Sequence, residues 1–204
     1  EIIVTDLTIS GPRMGVELGQ AGNHLLRAVA IRQTHGIAVS VSSAQARLGL
    51  EDCVVEDTQP SDTDKGLGLS IVAGAQVHLV RTGVTRNQDL GFFVAQSGTT
   101  LTMEDVAITH TQIIEGDDLA AGWGMSVLDG ATVRLSRVVL DSNPETAIAA
   151  SDEGTVILAE DLVITNTLVA HYGRTVSVSF GAHVDLTRVL IEGNHGSGLH
   201  LWGE

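Results

Sequence analysis

The sequence is poor in several residue types, and each shortage excludes a class of protein. It has 204 residues but one cysteine, 3 prolines and only 3% aromatic residues. A single cysteine excludes an intramolecular disulfide framework and a cysteine-rich zinc site. With a formal net charge of -14, the chain lacks the basic surface that nucleic-acid binding requires. No apolar run approaches the roughly 18 residues of a membrane span.

Glycine and small aliphatic residues are abundant instead. The chain contains 23 glycines and 43% hydrophobic residues, which is too much apolar content for a disordered acidic protein. The length suffices for one sizeable core. Since aromatic side chains are scarce, branched aliphatic side chains must fill that core.

A repeat organises the whole chain. Its anchor residues are spaced by 24, 29, 24, 32, 24 and 27 residues, at Ala21, Gln45, Gly74, Gly98, Gly130, Gly154 and Gly181. Each unit holds three short segments of alternating apolar and polar residues, which is the pattern of half-buried strands. In the first segment, the predicted inward pairs include Phe93/Ala95 and Met125/Val127. Three strands per unit predict an all-β parallel solenoid of about eight coils.

The coil length and strand spacing resemble those of the right-handed parallel β-helix proteins, the pectin-lyase-like superfamily. The resemblance covers the whole chain and implies a right-handed, single-stranded β-helix with three parallel sheets. It also accounts for the few aromatic residues, because aliphatic side chains stack on one another inside such a cylinder. We expect residues 1–204 to form one β-helix domain. Because neither end shows a polar or helical cap, we also expect this domain to be a segment of a longer solenoid.

Two slots of the repeat carry polar residues. The slot after the third strand holds Thr34, Thr58, Asn87, Thr111, Asn143, Asn166 and Asn194, which predicts a structural hydrogen-bond ladder. Asn166 lies one place early in its coil, so the alignment slips there. The slot before the third strand alternates acid and base: Asp52, Arg81, Asp105, Arg137, Asp161 and Arg188. The alternation makes the true repeat two coils long. It predicts a column of ion pairs in which each Arg lies between two Asp.

Three coils carry extra residues at the same turn, between the third strand and the next first strand. These loops, Gln59–Gly66, Gln112–Gly124 and Leu168–Arg174, should project from one edge of the solenoid, where binding residues tend to concentrate. The candidate ligand-binding residues of this looped edge are Asp62, Asp64, Glu115, Asp117, Asp118, Trp123, His171, Tyr172 and Arg174. The alternative is that the loops are insertions tolerated at an exposed turn.

Calcium is the one cofactor that the sequence suggests. Carboxylate oxygens are the ligands it prefers, and the looped edge offers Asp62, Asp64, Glu115, Asp117 and Asp118. Neither a D-x-D-x-D-G loop nor a G-G-x-G-x-D nonapeptide is present. Solvated acidic loops are therefore the alternative.

Polysaccharide cleavage is the activity that the family resemblance implies. Gly116-Asp117-Asp118 is similar to the G-D-D element of polygalacturonase-type hydrolases, and Asn194-His195-Gly196 is similar to their G-H-G element. In those enzymes the two elements lie on adjacent coils and an R-x-K motif follows. Here Asp118 and His195 fall three coils apart and R-x-K is absent. The catalytic candidates are Asp117, Asp118 and His195, and these departures argue against catalysis.

An outward slot within the third strand is apolar in every coil. It carries Ala30, Val54, Gly83, Ala107, Val139, Val163 and Leu190. An apolar stripe along a flat sheet predicts self-association or docking, centred on Val54, Val139, Val163 and Leu190. The alternative is a stripe masked by the flanking charges.

These patterns favour a non-catalytic β-helix scaffold belonging to a larger exported bacterial protein. Its expected role is surface display, adhesion or glycan binding along the looped edge, with a polysaccharide or cell-surface glycan as partner. The alternative is a carbohydrate-active enzyme: a polysaccharide hydrolase, lyase or epimerase. The extracellular or cell-surface location follows from the resemblance and from the acidic, lysine-poor composition.

Overall fold

A computed structural model describes residues 1–114, 122–168 and 173–203, and these residues form an all-β solenoid. In chain order, the strands are β1 (Ile2–Thr5), β2 (Thr8–Ser10), β3 (Met14–Leu18), β4 (Gly22–Arg27), β5 (Ala30–Arg32), β6 (Ile37–Val41), β7 (Ala46–Glu51), β8 (Val54–Glu56), β9 (Leu67–Ile71), β10 (Gln76–Val80), β11 (Gly83–Thr85), β12 (Leu90–Ala95), β13 (Thr100–Thr109), β14 (Trp123–Leu128), β15 (Thr132–Asp141), β16 (Thr146–Ser151), β17 (Val156–Thr165), β18 (Arg174–Ser179), β19 (His183–Glu192) and β20 (Ser197–Trp202). Across the described ranges, the structure contains no helix long and apolar enough to cross a membrane.

The strands stack in three columns, one for each strand of a coil. The first strands form an 8-stranded parallel sheet from β3 to β20. The second and third strands form two columns that merge at β13, β15, β17 and β19, ten-residue strands that bend through both. Each strand pairs with its equivalent one coil away, so each slot of the repeat forms a straight column along the rod. The predicted parallel solenoid of about eight coils is confirmed.

The interior is a stack of aliphatic side chains, and the largest wholly buried ones include Phe92, Leu101, Met103, Ile108 and Ile148. In β12, Phe92 and Val94 are the inward pair, because they are in register with the buried Leu69 and Ile71 of β9. The prediction that Phe93 and Ala95 form this pair is wrong by one residue. Because two Phe residues are adjacent, the sequence is compatible with an inward pair of Phe92 and Val94 or of Phe93 and Ala95. Pairing with the neighbouring coil decides which of the two faces inward.

A single residue with left-handed backbone makes each of two corners in a coil. Between the second and third strands this residue is Asp6 (φ 53°) and Ala28 (φ 53°) in the first two coils, and then Asp52 (φ 54°), Arg81 (φ 48°), Asp105 (φ 56°), Arg137 (φ 53°), Asp161 (φ 56°) and Arg188 (φ 53°). After the third strand, the corresponding corner residues include Asp57, Arg86, His110, Ser142 and Asn166. The one-place slip of Asn166 that the sequence shows is therefore present in the structure. Asn tolerates the left-handed conformation of the corner, and Thr167 takes the buried slot.

The buried slot after the third strand forms the predicted hydrogen-bond ladder, and the ladder has a period of two coils. Asn143 accepts hydrogen bonds through Oδ1 from the backbone N–H of Thr111, at 3.3 Å, and from the Thr111 hydroxyl. Its Nδ2 donates to the carbonyl oxygen of Ile108 at 3.2 Å. The two contacts to the backbone of the preceding coil recur at Asn87, with the N–H of Thr58 and the carbonyl oxygen of Val55, and at Asn194, with the N–H of Thr167 and the carbonyl oxygen of Ile164. Each Asn therefore holds its own coil to the Thr-containing coil before it.

Candidate functional site

The first loop of the predicted looped edge is closed by its own side chains. Asp64 Oδ2 accepts a hydrogen bond from the Thr63 hydroxyl at 2.8 Å and lies 3.6 Å from Nη2 of Arg13. The Ser61 hydroxyl accepts from the backbone N–H of Asp64 at 3.1 Å. Asp62 is exposed to solvent. The carboxylate of Asp64 is thus already bound within the protein.

The other acidic candidates of the looped edge, Glu115, Asp117 and Asp118, lie outside the described residues, as do His171 and Tyr172. Within residues 1–114, 122–168 and 173–203, no group of three or more His, Cys, Asp or Glu side chains could hold a metal ion. The calcium site therefore stays a prediction from sequence.

The remaining candidates of the looped edge mark the starts of strands. Trp123 begins β14, donates its backbone N–H to the carbonyl oxygen of Asp89 at 2.8 Å, and has a buried indole N–H without a hydrogen-bond partner. Arg174 begins β18, in register with Thr146. His195 is exposed, and its backbone N–H donates to the carbonyl oxygen of Thr167. These positions place Trp123 and Arg174 at the looped edge. Among the described residues His195 has no second catalytic candidate beside it, because Asp117 and Asp118 lie outside them.

Two buried carboxylates at this edge are not found by sequence reasoning. Asp89 and Glu145 are 6% and 5% exposed, and they are the buried acidic side chains of the described part of the chain. Glu145 Oε1 accepts a hydrogen bond from the backbone N–H of Gly173, at the end of the third loop, at 3.2 Å. Their position in the sequence could have identified them, because each acid lies two residues after an Asn of the buried ladder. Glu145 thus braces a loop from the neighbouring coil.

The alternating corner residues form bidentate ion pairs on the opposite part of the surface. Arg81 donates through Nε to Asp52 Oδ1 at 2.6 Å and through Nη2 to Asp52 Oδ2 at 2.9 Å. The same pairing recurs in Arg137–Asp105 and Arg188–Asp161, where each Arg also binds the Glu before that Asp. The predicted alternation is confirmed. Each Arg bonds the Asp of the preceding coil, whereas the Asp of the following coil acts on Arg81 through space.

The ion pairs change the acidity of the carboxyl groups. Hydrogen bonds from Arg81, Arg137 and Arg188 hold the pKa values of Asp52, Asp105 and Asp161 below the ordinary value of an aspartate. At a neighbouring corner, burial alone would raise the pKa of Asp141. Hydrogen bonds to it from Thr165, Asn166 and Ser142 outweigh that effect and lower its pKa instead. All four carboxylates therefore stay charged at neutral pH.

The single cysteine is not a nucleophile candidate. Cys53 is 6% exposed and faces inward at the start of the third strand, as its position in the repeat predicts. Burial raises the pKa of its thiol, which disfavours the reactive thiolate. Its Sγ lies 3.4 Å from the carbonyl oxygen of Leu26 in the preceding coil. Cys53 is a small core residue.

A shallow trough runs along the outer face of the second-strand column. Its two deeper parts have volumes of about 470 and 290 Å³, and Thr102 lines both of them. The central line of the trough follows one outward slot from coil to coil: His78, Thr102, Arg134, Leu158 and Asp185. Further polar lining residues are Asn23, Arg47, Gln76, Thr100, Ser136, Glu160 and Thr187. Sequence analysis missed this surface because its slots change residue type from coil to coil and form no motif.

The trough is lined by both polar and apolar groups, and apolar surface predominates in its larger part, around Leu158. Hydroxyl, amide, guanidinium and carboxylate groups alternate along it at about 4.8 Å per coil. Some of these groups already interact, since Arg47 Nε donates to Gln76 Oε1 at 3.2 Å. Bases and acids both occur, so the trough has no single strong sign of charge. Such a surface can form regularly spaced hydrogen bonds to an extended, hydroxyl-rich ligand.

Comparisons with known proteins bear on the fold. No curated protein and no solved structure is significantly similar to this chain. A family model described as "Right handed beta helix region" matches residues 1–162, most of the chain. The match agrees with the parallel columns and the stacked coils of the structure. The chain therefore belongs to the right-handed β-helix family.

Proposed function

We propose that this chain is a non-catalytic β-helical scaffold that binds an extended glycan along the trough. The single observation that carries the proposal is the line of outward slots along the second-strand column, polar at His78, Thr102, Arg134 and Asp185 and interrupted by one apolar residue, Leu158. Successive coils repeat at about the length of one sugar unit in an extended glycan, so neighbouring coils can contact neighbouring sugars. The β-helix supplies a rigid scaffold for a general binding or carbohydrate-related role.

The ligand class follows from charge. The chain carries a formal net charge of -14, which repels polyanions such as polyuronates at ordinary ionic strength. Within the trough Arg134 and Asp185 offset each other, so the local surface favours neutral sugars with many hydroxyl groups. We therefore propose a neutral polysaccharide as the ligand. An exported location, at the surface of a bacterial cell or beyond it, is part of the same proposal and is supported by the acidic composition with a single lysine, Lys65.

The experiment is affinity electrophoresis and titration calorimetry with neutral glucans, mannans and galactans, and with polygalacturonate as the polyanionic comparison. We expect binding to neutral chains, and at least about tenfold weaker binding for the double variant Arg134→Ala/Asp185→Ala, because each loses hydrogen bonds to the sugar. The matched control is Asp62→Ala/Asp64→Ala, which alters the looped edge and leaves the trough intact. Each titration is repeated with calcium and with a chelator.

Three results would count against the proposal. Loss of binding in the looped-edge variant but not in the trough variant would move the site to the loops. Binding to polygalacturonate alone would overturn the ligand class. Product formation that Asp117→Ala abolishes would replace the scaffold with a carbohydrate-active enzyme.

A further inference from the structure

The apolar stripe on the third-strand column is exposed where its side chains are largest. We keep the name stripe for Ala30, Val54, Gly83, Ala107, Val139, Val163 and Leu190, which are in register from coil to coil. Val139 is 38% exposed and Leu190 is 49% exposed. Apolar side chains of this size and exposure, aligned on a flat sheet, favour contact with another surface.

The ion-pair column borders the same surface as the stripe. Asp52 and Arg81 line one open depression of about 360 Å³ together with Ala30 and Val54. A partner that covers the stripe must therefore also cover the column of alternating charges. The charges of that column decide which partner fits.

The charges of the column face opposite charges when a second copy of the column is laid against it in the reverse direction. From the N-terminal side, the column contains Asp52, Arg81, Asp105, Arg137, Asp161 and Arg188, so it begins with an acid and ends with a base. A twofold axis in the plane of the contact and perpendicular to the rod lays a second copy antiparallel, column upon column. Centred between Asp105 and Arg137, this axis places every Asp opposite an Arg of the second copy.

The sizes of the stripe residues match in the same register. That axis places Gly83 opposite Val163 of the second copy, and Ala107 opposite Val139. At the end of the contact, the same axis places Val54 opposite Leu190 of the second copy. At the centre of the contact small side chains therefore meet larger ones, which favours close packing, whereas each end brings two branched side chains together.

We propose that two copies of this chain associate antiparallel through the stripe and the ion-pair column. A parallel arrangement, with the axis along the rod, would put the two columns on opposite borders and leave their charges unmatched. Six coils separated by five spacings of about 4.8 Å give a contact of roughly 24 Å along the rod and about 1,000 Å² in total, near the lower limit for a specific interface. We therefore expect a weak dimer, with a micromolar dissociation constant. This surface differs from the trough, so the dimer stands or falls independently of glycan binding.

Sedimentation velocity from low micromolar to submillimolar protein tests the contact itself. We expect a monomer–dimer equilibrium that Val139→Asp/Leu190→Asp weakens by more than about tenfold, because buried apolar contacts become charged. The matched control is Phe180→Asp, which removes another exposed apolar side chain from a corner away from the stripe. Phe180 is 56% exposed, and we expect this variant to dimerise normally. A monomer at every concentration, open-ended oligomers, or equal weakening by Phe180→Asp would overturn the proposal.

Charge exchange tests the register. The exchange Asp52→Arg/Arg81→Asp keeps an ion pair within the chain but places like charges opposite Arg188 and Asp161 of the second copy, so we expect weaker association. Exchanging Asp161 and Arg188 as well restores opposite charges and should restore the dimer. Exchanging the central Asp105 and Arg137 keeps all contacts between copies opposite and should leave association unchanged. If the second exchange does not rescue the first while circular dichroism shows all variants folded, the antiparallel register is wrong.

Discussion

Coils with an Asp in the ion-pair column and coils with an Arg there differ in how they are held to their neighbours. Arg137 and Asn143 lie on one coil, and both make side-chain hydrogen bonds to the coil before it, at Asp105 and Thr111. Towards the following coil, Asp161 and Arg137 interact through space without a direct bond. Backbone pairing is continuous in both directions. The bonds of the ion-pair column and of the buried ladder therefore group the coils in pairs, whereas other side-chain bonds cross to the following coil, such as those from Thr165 and Asn166 to Asp141.

This difference explains the two-coil period of the sequence. Both partners of a side-chain bond must be specified together, so an Asp/Thr coil and an Arg/Asn coil form one unit. At the N-terminal end the pattern changes, because Arg27 and Arg32 reach forward to Glu51 and Glu56. Glu56 consequently binds Arg32 on one side and Arg86 on the other. The first complete pair is thereby tied to the coil that precedes it.

Among the substitutions that test how the coils are held together, Asn143→Ala should lower the free energy of unfolding most. Asn143 is fully buried, and its removal leaves the N–H of Thr111 and the carbonyl oxygen of Ile108 without side-chain partners. We expect the free energy of unfolding to fall by about 2–4 kcal/mol, because two buried polar groups lose a bond. Urea denaturation followed by circular dichroism measures it. A loss below about 1 kcal/mol would show that the buried ladder does not hold the coil pair.

Thr111 and Thr167 occupy equivalent slots of the buried ladder but differ in hydrogen bonding. Their substitution should change the free energy of unfolding less than Asn143→Ala does. The Thr111 hydroxyl bonds Asn143, whereas the Thr167 hydroxyl is buried without a partner. We expect Thr111→Val to lower the free energy of unfolding by about 1 kcal/mol, and Thr167→Val to leave it unchanged or raise it slightly. Both substitutions are nearly isosteric, so the same denaturation experiment compares them directly. Equal losses would mean that side-chain shape rather than hydrogen bonding sets the alternation.

The smallest effect should come from the ion-pair column. The triple variant Arg81→Gln/Arg137→Gln/Arg188→Gln removes the charges and leaves a shorter polar side chain at each position, and the Asp partners of these Arg residues are about half exposed. We expect a melting temperature lower by a few degrees at pH 7 and low salt, and a smaller difference at high salt. Thermal melts followed by circular dichroism check both conditions.

At acid pH, the triple variant should have the same melting temperature as the parent protein. The lowered pKa values of Asp52, Asp105 and Asp161 mean that the stabilisation is fully present above about pH 4, the ordinary aspartate range. It is lost as the pH falls through the lowered values. Melting curves of the parent and variant should therefore converge below pH 4. A gap that persists at pH 2 would show that packing, not charge, separates the two proteins.

Periodic features were predictable from the sequence, and most local exceptions were not. The coils, the ion-pair column and the buried Cys53 follow from residues that recur at fixed spacing. The one-place slip at Asn166 was also visible in the sequence. The inward position of Phe92 did not follow, because the adjacent Phe93 allows a second alignment and pairing with the neighbouring coil chooses between them. The trough escaped prediction because its residues, such as Arg134 and Asp185, share only a position.

The carboxylate of Glu145 has a consequence for how this edge can change over evolutionary time. The residue that fixes the end of the third loop lies on the neighbouring coil, and it accepts a hydrogen bond from the backbone N–H of Gly173. This bond does not depend on the identity of a loop side chain. We therefore expect substitutions within the loop to preserve this anchor, whereas substitution of Glu145 removes it.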